Sequence, residues 1–115
     1  MNAIARNHYR IQFPVQERPI LHMGATSASV LNLSEGGLMM SVPSSFVVGF
    51  GDRLEGRIAM PTGQDLKIAG RVKRQGDHHV ALQFDELIPL GVIMELQRYL
   101  LTHYQDLEPA PSPKT

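Results

Sequence analysis

Two short segments of the sequence hold residues that suit recognition of an anion and a purine base. The first contains a pair of arginines four positions apart, Arg6 and Arg10. The second combines an amide, a hydroxyl and two glycines: Asn32, Ser34, Gly36 and Gly37. An arginine presents a planar fork of donors that fits phosphate oxygens or the Hoogsteen edge of guanine in a bidentate way. An amide and a hydroxyl can read a base edge, and glycine lets a ligand approach the main chain closely.

The chain before and around the arginine pair has little to bury. Residues 1–9 show no helical or strand periodicity, so we expect a flexible arm that carries ligand-binding residues. A first strand is predicted near Arg10 to Leu21. Side chains four positions apart lie on one side of a helix and also of a strand. The guanidinium groups of Arg6 and Arg10 are therefore expected to point together.

The amide, the hydroxyl and the glycines are predicted to lie at the tip of a hairpin. An extended strand through residues 28–34 places Ala28, Val30, Asn32 and Ser34 on one side and Ser29, Leu31 and Leu33 on the other. Gly36 and Gly37 favour a tight turn because glycine adopts positive φ without steric cost. The chain is then expected to return as the second strand of the hairpin.

Three further strands are predicted from alternating polarity, at residues 53–60, 66–73 and 79–84. Gly56 and Gly70 occupy inward positions of the first two. An interior glycine often marks a bend or a close approach of two backbones, so these strands are typical of a strongly curved sheet. A small closed barrel satisfies this pattern.

Near the C-terminus, apolar residues recur at helical spacing: Ile93, Leu96, Leu100, Tyr104 and Leu107. Pro89 is suited to the first helical turn. The pattern predicts an amphipathic helix that covers the barrel, although a stripe of this length could also pair with another protomer. Residues 108–115 are rich in proline and are predicted to be a disordered tail, so the folded unit is expected at residues 10–107.

The composition limits the class of protein. With 115 residues, 43% of them apolar, the chain suits one compact domain. It contains no cysteine and lacks the apolar run of a signal peptide, so we expect a cytoplasmic protein without membrane insertion. The formal net charge is zero, but residues 1–84 hold nine Lys or Arg and six Asp or Glu, whereas residues 85–115 hold two and five. This distribution favours a compact anionic ligand over a polynucleotide.

Patterns for catalysis and metal binding are weak in this sequence. There is no serine elbow, Walker loop or segment with paired carboxylates, and the five histidines lack the spacing of a metal site. We therefore expect a protein that is not an enzyme and has no metal or resident cofactor. With three Tyr, four Phe and no Trp, a stacking platform for single-stranded DNA or RNA is also disfavoured.

The order of these motifs resembles the PilZ family, whose members are receptors for the bacterial second messenger cyclic di-GMP. The pattern R-x-x-x-R at Arg6 and Arg10 is followed, after a strand, by [D/N]-x-S-x-x-G beginning at Asn32. The strand residues Val80–Phe84 and the terminal helix come next, in the family's order. Three positions depart from the pattern: Asn32 is the neutral option, Ala81 stands where glycine is usual, and Ala5 stands where some relatives have a third arginine.

The resemblance implies a mainly β fold, a six-stranded antiparallel β-barrel with a C-terminal α-helix and a flexible N-terminal arm. It also implies a cyclic di-GMP site built from both motifs: Arg6, Arg10, Asn32, Ser34, Gly36 and Gly37. The two arginines would clamp phosphate and guanine, and Asn32 and Ser34 would hydrogen-bond to base or phosphate. Binding would order the arm and signal to an unidentified protein effector in motility, adhesion, polysaccharide or biofilm control.

The residues leave several alternatives open. A PilZ-like module could bind only protein and not the dinucleotide. Arg71 or Arg74 could approach a ligand from an adjoining strand. Because Ala5 replaces the third arginine, the protein could bind either one or two dinucleotides per protomer. Both a monomer and a weak homodimer are compatible with the terminal helix.

Overall fold

The computed structural model describes residues 10–103, which form seven strands and one α-helix. The strands are β1 (Arg10–Gln12), β2 (Ile20–Met23), β3 (Thr26–Ser34), β4 (Gly37–Ser41), β5 (Arg53–Ala59), β6 (Asp65–Gly76) and β7 (His79–Phe84). The helix α1 spans Leu90–His103. The predicted arm at residues 1–9, the helical positions Tyr104 and Leu107 and the predicted tail at residues 108–115 lie outside the described residues.

Six of the strands close into an antiparallel barrel. Around the ring, β2 pairs with β5, β5 with β6, β6 with β7, β7 with β4, β4 with β3, and β3 with β2 again. The predicted six-stranded barrel with a C-terminal helix is confirmed. The seventh strand, β1, is an addition that pairs with the end of β3.

The prediction of one continuous first strand from Arg10 to Leu21 is wrong. The chain instead forms β1 and β2, separated by a 3-10 turn at Val15–Glu17. Both strands lie along the same edge of β3, because Arg10 is opposite Ser34 and Ile20 is opposite Ser29. Prolines at positions 14 and 19 lack the N–H that a ladder needs, which accounts for the interruption.

The core lies inside the barrel and continues under α1. The side chains of Leu21, Val30, Met40 and Ile58 are fully buried and come from four different strands. Ile93, Leu96 and Leu100 of α1 belong to the same apolar cluster, as their helical spacing predicts. The helix begins directly after Pro89, whose carbonyl accepts a hydrogen bond from the Val92 N–H at 3.0 Å. No helix in the described part of the chain has the length and apolarity needed to cross a bilayer.

The inward glycines mark places where two strands come unusually close. A Cβ atom at Gly70 would lie 2.2 Å from the carbonyl oxygen of Gln83, and one at Gly56 would lie 2.6 Å from that of His22. Both distances are shorter than any side chain tolerates. The sequence interpretation of these glycines as points of close backbone approach is therefore confirmed.

Candidate ligand-binding site

Arg10 lies at the start of β1 and is held against β3. It is the direct cross-strand partner of Ser34, and its guanidinium group reaches two residues of that strand. Nη1 donates a hydrogen bond to Asn32 Oδ1, and Nη2 lies 3.4 Å from Ser34 Oγ. Three of the predicted ligand-binding residues, Arg10, Asn32 and Ser34, are therefore in contact. Arg6 lies outside the described residues.

The position of Asn32 depends on a β-bulge. Between β3 and β4, Val30 is opposite Met40 but Asn32 is opposite Met39, so Leu31 is an extra residue. Strict alternation would place Val30 and Asn32 on the same side, and this part of the prediction is wrong. Val30 is buried in the core, whereas Asn32 is half-buried on the outer surface. A bulge re-aims a side chain in this way, and bulges are common beside binding sites.

Ser34 is a buried residue at the end of β3, with only 2% of its surface exposed. Its hydroxyl lies 3.3 Å from the Gly37 carbonyl oxygen, to which it donates a hydrogen bond. In this conformation the Ser34 side chain braces the turn and faces Arg10. Its surface available to a ligand is small.

The turn from β3 to β4 needs glycine at position 37 because another strand lies close to it. A Cβ atom there would lie 2.3 Å from the Leu82 carbonyl oxygen on β7. The predicted reason, a positive φ, does not apply to Gly37. At Gly36, the carbonyl oxygen accepts a hydrogen bond of 2.8 Å from the Phe84 N–H. Both glycines of the turn therefore lie against β7.

A row of four residues crosses the outer surface next to Arg10. Asn32 on β3 is opposite Met39 on β4, Met39 is opposite Ala81 on β7, and Ala81 is opposite Arg74 on β6. A second bulge, between Val72 and Arg74, gives Arg74 its outward position. The row thus has polar or charged side chains at its two ends and apolar ones in the middle.

These residues line an open cleft of about 760 Å³. Its lining includes three cationic side chains, Arg10, Lys73 and Arg74, and among the described residues it includes no Asp or Glu. Gly36, Gly37 and Leu87 also contribute to the lining. A concave site that gathers positive charge around an apolar floor suits an anion with a flat ring system.

A model of the PilZ domain family matches residues 5–102. The chain belongs to the PilZ family. Solved structures support the fold. The PilZ domain of YcgR from Escherichia coli, solved with c-di-GMP, superposes with a TM-score of 0.69 at 14% identity, over 89% of this chain and 98% of that one.

Two further structures are similar to this PilZ domain. A second YcgR structure from Escherichia coli, a complex with c-di-GMP, gives a TM-score of 0.62 at 16% identity. That match covers 88% of this chain and 46% of the YcgR chain. An uncharacterized Legionella protein gives 0.52 at 13% identity, over 85% of this chain and 92% of that one. No curated protein sequence matches the chain.

Three other outward basic residues of the PilZ domain have partners away from the cleft. Arg53 donates hydrogen bonds to Glu55 and Asp85, and these bonds raise the pKa of Arg53 above its usual value. Arg57 lies 3.8 Å from a carboxylate oxygen of Asp65. Arg71, one of the two residues predicted to approach a ligand from an adjoining strand, instead donates to the Gly51 carbonyl oxygen at 3.1 Å.

Arg74 and Lys73 are the cations that β6 brings to the cleft. Arg74 was a sequence candidate, whereas Lys73 was not. Alternation alone would turn Arg74 toward the core with Val72. The bulge between the two residues turns the Arg74 side chain outward instead. Within residues 10–103 no group of three or more His, Asp or Glu side chains is arranged to hold a metal ion.

Proposed function

We propose that this PilZ domain is a receptor for cyclic di-GMP. The observation that carries the proposal is the contact of Arg10 with both Asn32 and Ser34 at the edge of the cationic cleft. Backbone pairing between β1 and β3 positions the arginine before any ligand arrives. A site arranged in advance loses less conformational entropy on binding than one that must be assembled.

Arg10 is the principal anchor in this proposal. Its fork contacts a phosphate oxygen and the Hoogsteen edge of a guanine, in place of its contact with Asn32. Asn32 Oδ1 is then available to accept a hydrogen bond from a guanine N–H. Ser34 holds the turn through its bond to the Gly37 carbonyl oxygen, and its hydroxyl becomes available to a phosphate when the Arg10 side chain turns toward the ligand. Gly36 and Gly37 allow the ligand to approach the backbone.

The row between Asn32 and Arg74 supplies the rest of the site. Met39 and Ala81 form an apolar floor on which a purine ring can lie. Lys73 and Arg74 attract the two phosphates from the far side of the cleft. Arg6 adds a second guanidinium group from the arm before Arg10, as the spacing of the pair predicts. Together, these residues place four positive charges around a dianionic cyclic dinucleotide.

The output proposed for the receptor is a contact with a protein effector. Ligand binding orders residues 1–9 over the cleft, and the new charge-assisted hydrogen bonds oppose the loss of conformational entropy. The ordered arm then forms part of a surface that the effector recognises. An effector of motility, adhesion, polysaccharide synthesis or biofilm control is consistent with such a signalling role.

Isothermal titration calorimetry tests the proposal. Cyclic di-GMP should bind the unaltered chain, whereas GMP at equal concentration should bind weakly or not at all. Arg10→Ala should weaken binding by roughly ten- to hundredfold, the effect of one or two lost charge-assisted hydrogen bonds, and Arg6→Ala should also weaken it. Arg57→Ala is the matched control, because Arg57 is exposed and pairs with Asp65 away from the cleft. If the Arg10→Ala chain binds cyclic di-GMP as tightly as the unaltered chain does, Arg10 does not clamp the ligand.

A protein-interaction module that does not bind the dinucleotide is the second candidate. It is favoured if calorimetry detects no heat with cyclic di-GMP at any practical concentration. In that case the contacts among Arg10, Asn32 and Ser34 serve only to attach β1 to the barrel.

A further inference from the structure

The helix α1 has a second apolar stripe that the barrel does not cover. Leu90, Met94 and Leu101 share one side of the helix and are 51%, 44% and 59% exposed. Leu87, just before the helix, is 61% exposed. We call Leu87, Leu90 and Met94 the outer apolar face. It is separate from the stripe of α1 that packs into the core.

The outer apolar face begins at the ligand cleft. Leu87 lines the same cleft as Arg10. The next residue, Ile88, donates a backbone hydrogen bond of 2.8 Å to the carbonyl oxygen of Glu35. This bond fixes the start of the face beside the turn that follows β3.

Strand β1 begins close to this place. β1 and β3 are antiparallel, and Arg10 is opposite Ser34, the last residue of β3. The N-terminal end of β1, at Arg10, is therefore directed toward Glu35 and its partner Ile88. Nine extended residues span up to about 30 Å. Leu90 and Met94 are only about 6 Å apart along the helix axis, so the N-terminal segment is long enough to cover them.

The chemistry of the N-terminal segment complements the outer apolar face. Residues 1–9 include the apolar side chains of Met1 and Ile4, together with the cation Arg6 and no acid. The exposed carboxylate Glu86 precedes Leu87 in the chain, and the exposed Glu95 and Arg98 follow Met94 on α1. The few apolar side chains of this segment thus match the apolar face, and Arg6 matches the carboxylate next to Leu87.

We infer that the outer apolar face is the docking surface for this chain's own N-terminal segment, Met1–Tyr9. The inference rests on the proposed function, because cyclic di-GMP bound through Arg6 and Arg10 brings the segment to the face. Ile4 then packs on Leu87 and Leu90. The occupied cleft and the helix together form one continuous surface, so the state of the cleft is transmitted to the outer side of α1.

Engineered cysteines test the docking directly, because the chain has no native cysteine. The test pair is Ile4→Cys with Leu90→Cys, and the control pair is Ile4→Cys with Arg57→Cys on β5. Each protein is treated with oxidised glutathione, with and without cyclic di-GMP, and the intramolecular disulfide is measured by mass spectrometry. The inference predicts that the ligand speeds bridge formation at least about fivefold in the test pair only. Equal rates in the two pairs, or bridges only between molecules, would overturn it.

Calorimetry on the same chain separates the two possible failures. Leu90→Gln should weaken binding of cyclic di-GMP by about fivefold, since the segment loses its apolar contact. Leu101→Gln, on the same stripe but three turns further on, should leave the affinity unchanged. If the unaltered chain binds and neither variant differs from it, the docking is wrong and the receptor function stands. If the unaltered chain does not bind, the receptor function and the ligand dependence of the docking both fail.

Discussion

Arg10 and Ser34 face each other across β1 and β3 although they are 24 positions apart, and the Arg10 Nη2 atom lies 3.4 Å from the Ser34 hydroxyl. This pairing attaches the short strand β1 to the barrel. It also places a guanidinium group beside the turn at Gly36 and Gly37. The arginine and the turn, far apart in the sequence, thus form one corner of the cleft.

Replacing Ser34 by alanine should lower stability. Ser34 is buried, and its hydroxyl bonds to the Gly37 carbonyl oxygen, which the variant leaves without that donor. We expect a loss of about 1 to 2 kcal/mol in the free energy of unfolding, measured by urea denaturation. Ser27→Ala is the control, because Ser27 is exposed on the same strand. An equal loss in both variants would contradict the bracing role of Ser34.

A methyl group at position 37 should be poorly tolerated. In Gly37→Ala the new Cβ would lie 2.3 Å from the Leu82 carbonyl oxygen, so β4 and β7 must separate. We expect the free energy of unfolding, measured by thermal or urea denaturation, to fall by about 2 kcal/mol or more. Gly76→Ala is a matched change on β6, where nothing lies within 4 Å of the new atom. If both variants unfold at the same midpoint, close approach does not explain Gly37.

A carboxylate in place of Asn32 should strengthen ligand binding. Aspartate accepts hydrogen bonds from a guanine edge more strongly than an amide does, because the bond is charge-assisted. We expect Asn32→Asp to bind cyclic di-GMP about fivefold more tightly and Asn32→Ala to bind it about tenfold more weakly, both by calorimetry. Weaker binding by Asn32→Asp would show that Asn32 does not contact the base.

Binding should depend on the cations of β6. Lys73 and Arg74 line the cleft, and the proposed ligand carries two negative charges. Arg74→Gln should therefore weaken binding by roughly threefold to tenfold at low salt and by less at high salt, where surface charges are screened. Arg57→Gln removes a charge outside the cleft and should have little effect. If Arg74→Gln weakens binding by the same factor at low and high salt, Arg74 does not act through its charge.

The sequence predicts the barrel well because apolar and polar residues alternate along its regular strands. The buried positions of β7 agree with that alternation, and the core-facing stripe of α1 agrees with its helical spacing. The interruption at Pro14 was detectable in principle, since proline cannot donate to a ladder. The residues of β1 and β2 on either side both have strand character, which conceals the interruption.

The site is harder to predict because two bulges set its geometry. The extra residues at Leu31 and Lys73 change which side chains face outward after them, and they bring Asn32 and Arg74 into one row. A bulge arises from pairing with a neighbouring strand and leaves no clear mark in the alternation itself. The motif was enough to select Arg10, Asn32 and Ser34 as neighbours. It could not reveal that Lys73 shares their cleft.

Nuclear magnetic resonance can locate the dinucleotide on the protein in one titration. Cyclic di-GMP is added to the ¹⁵N-labelled full-length chain, and the backbone amide resonances are followed to saturation. We expect the largest shifts at Arg10, Asn32, Ser34, Gly36 and Gly37, with smaller shifts at Lys73 and Arg74. Saturable shifts confined to another face, such as β5 at Arg53–Ala59, or no shifts at all, would contradict a cyclic di-GMP site at this corner.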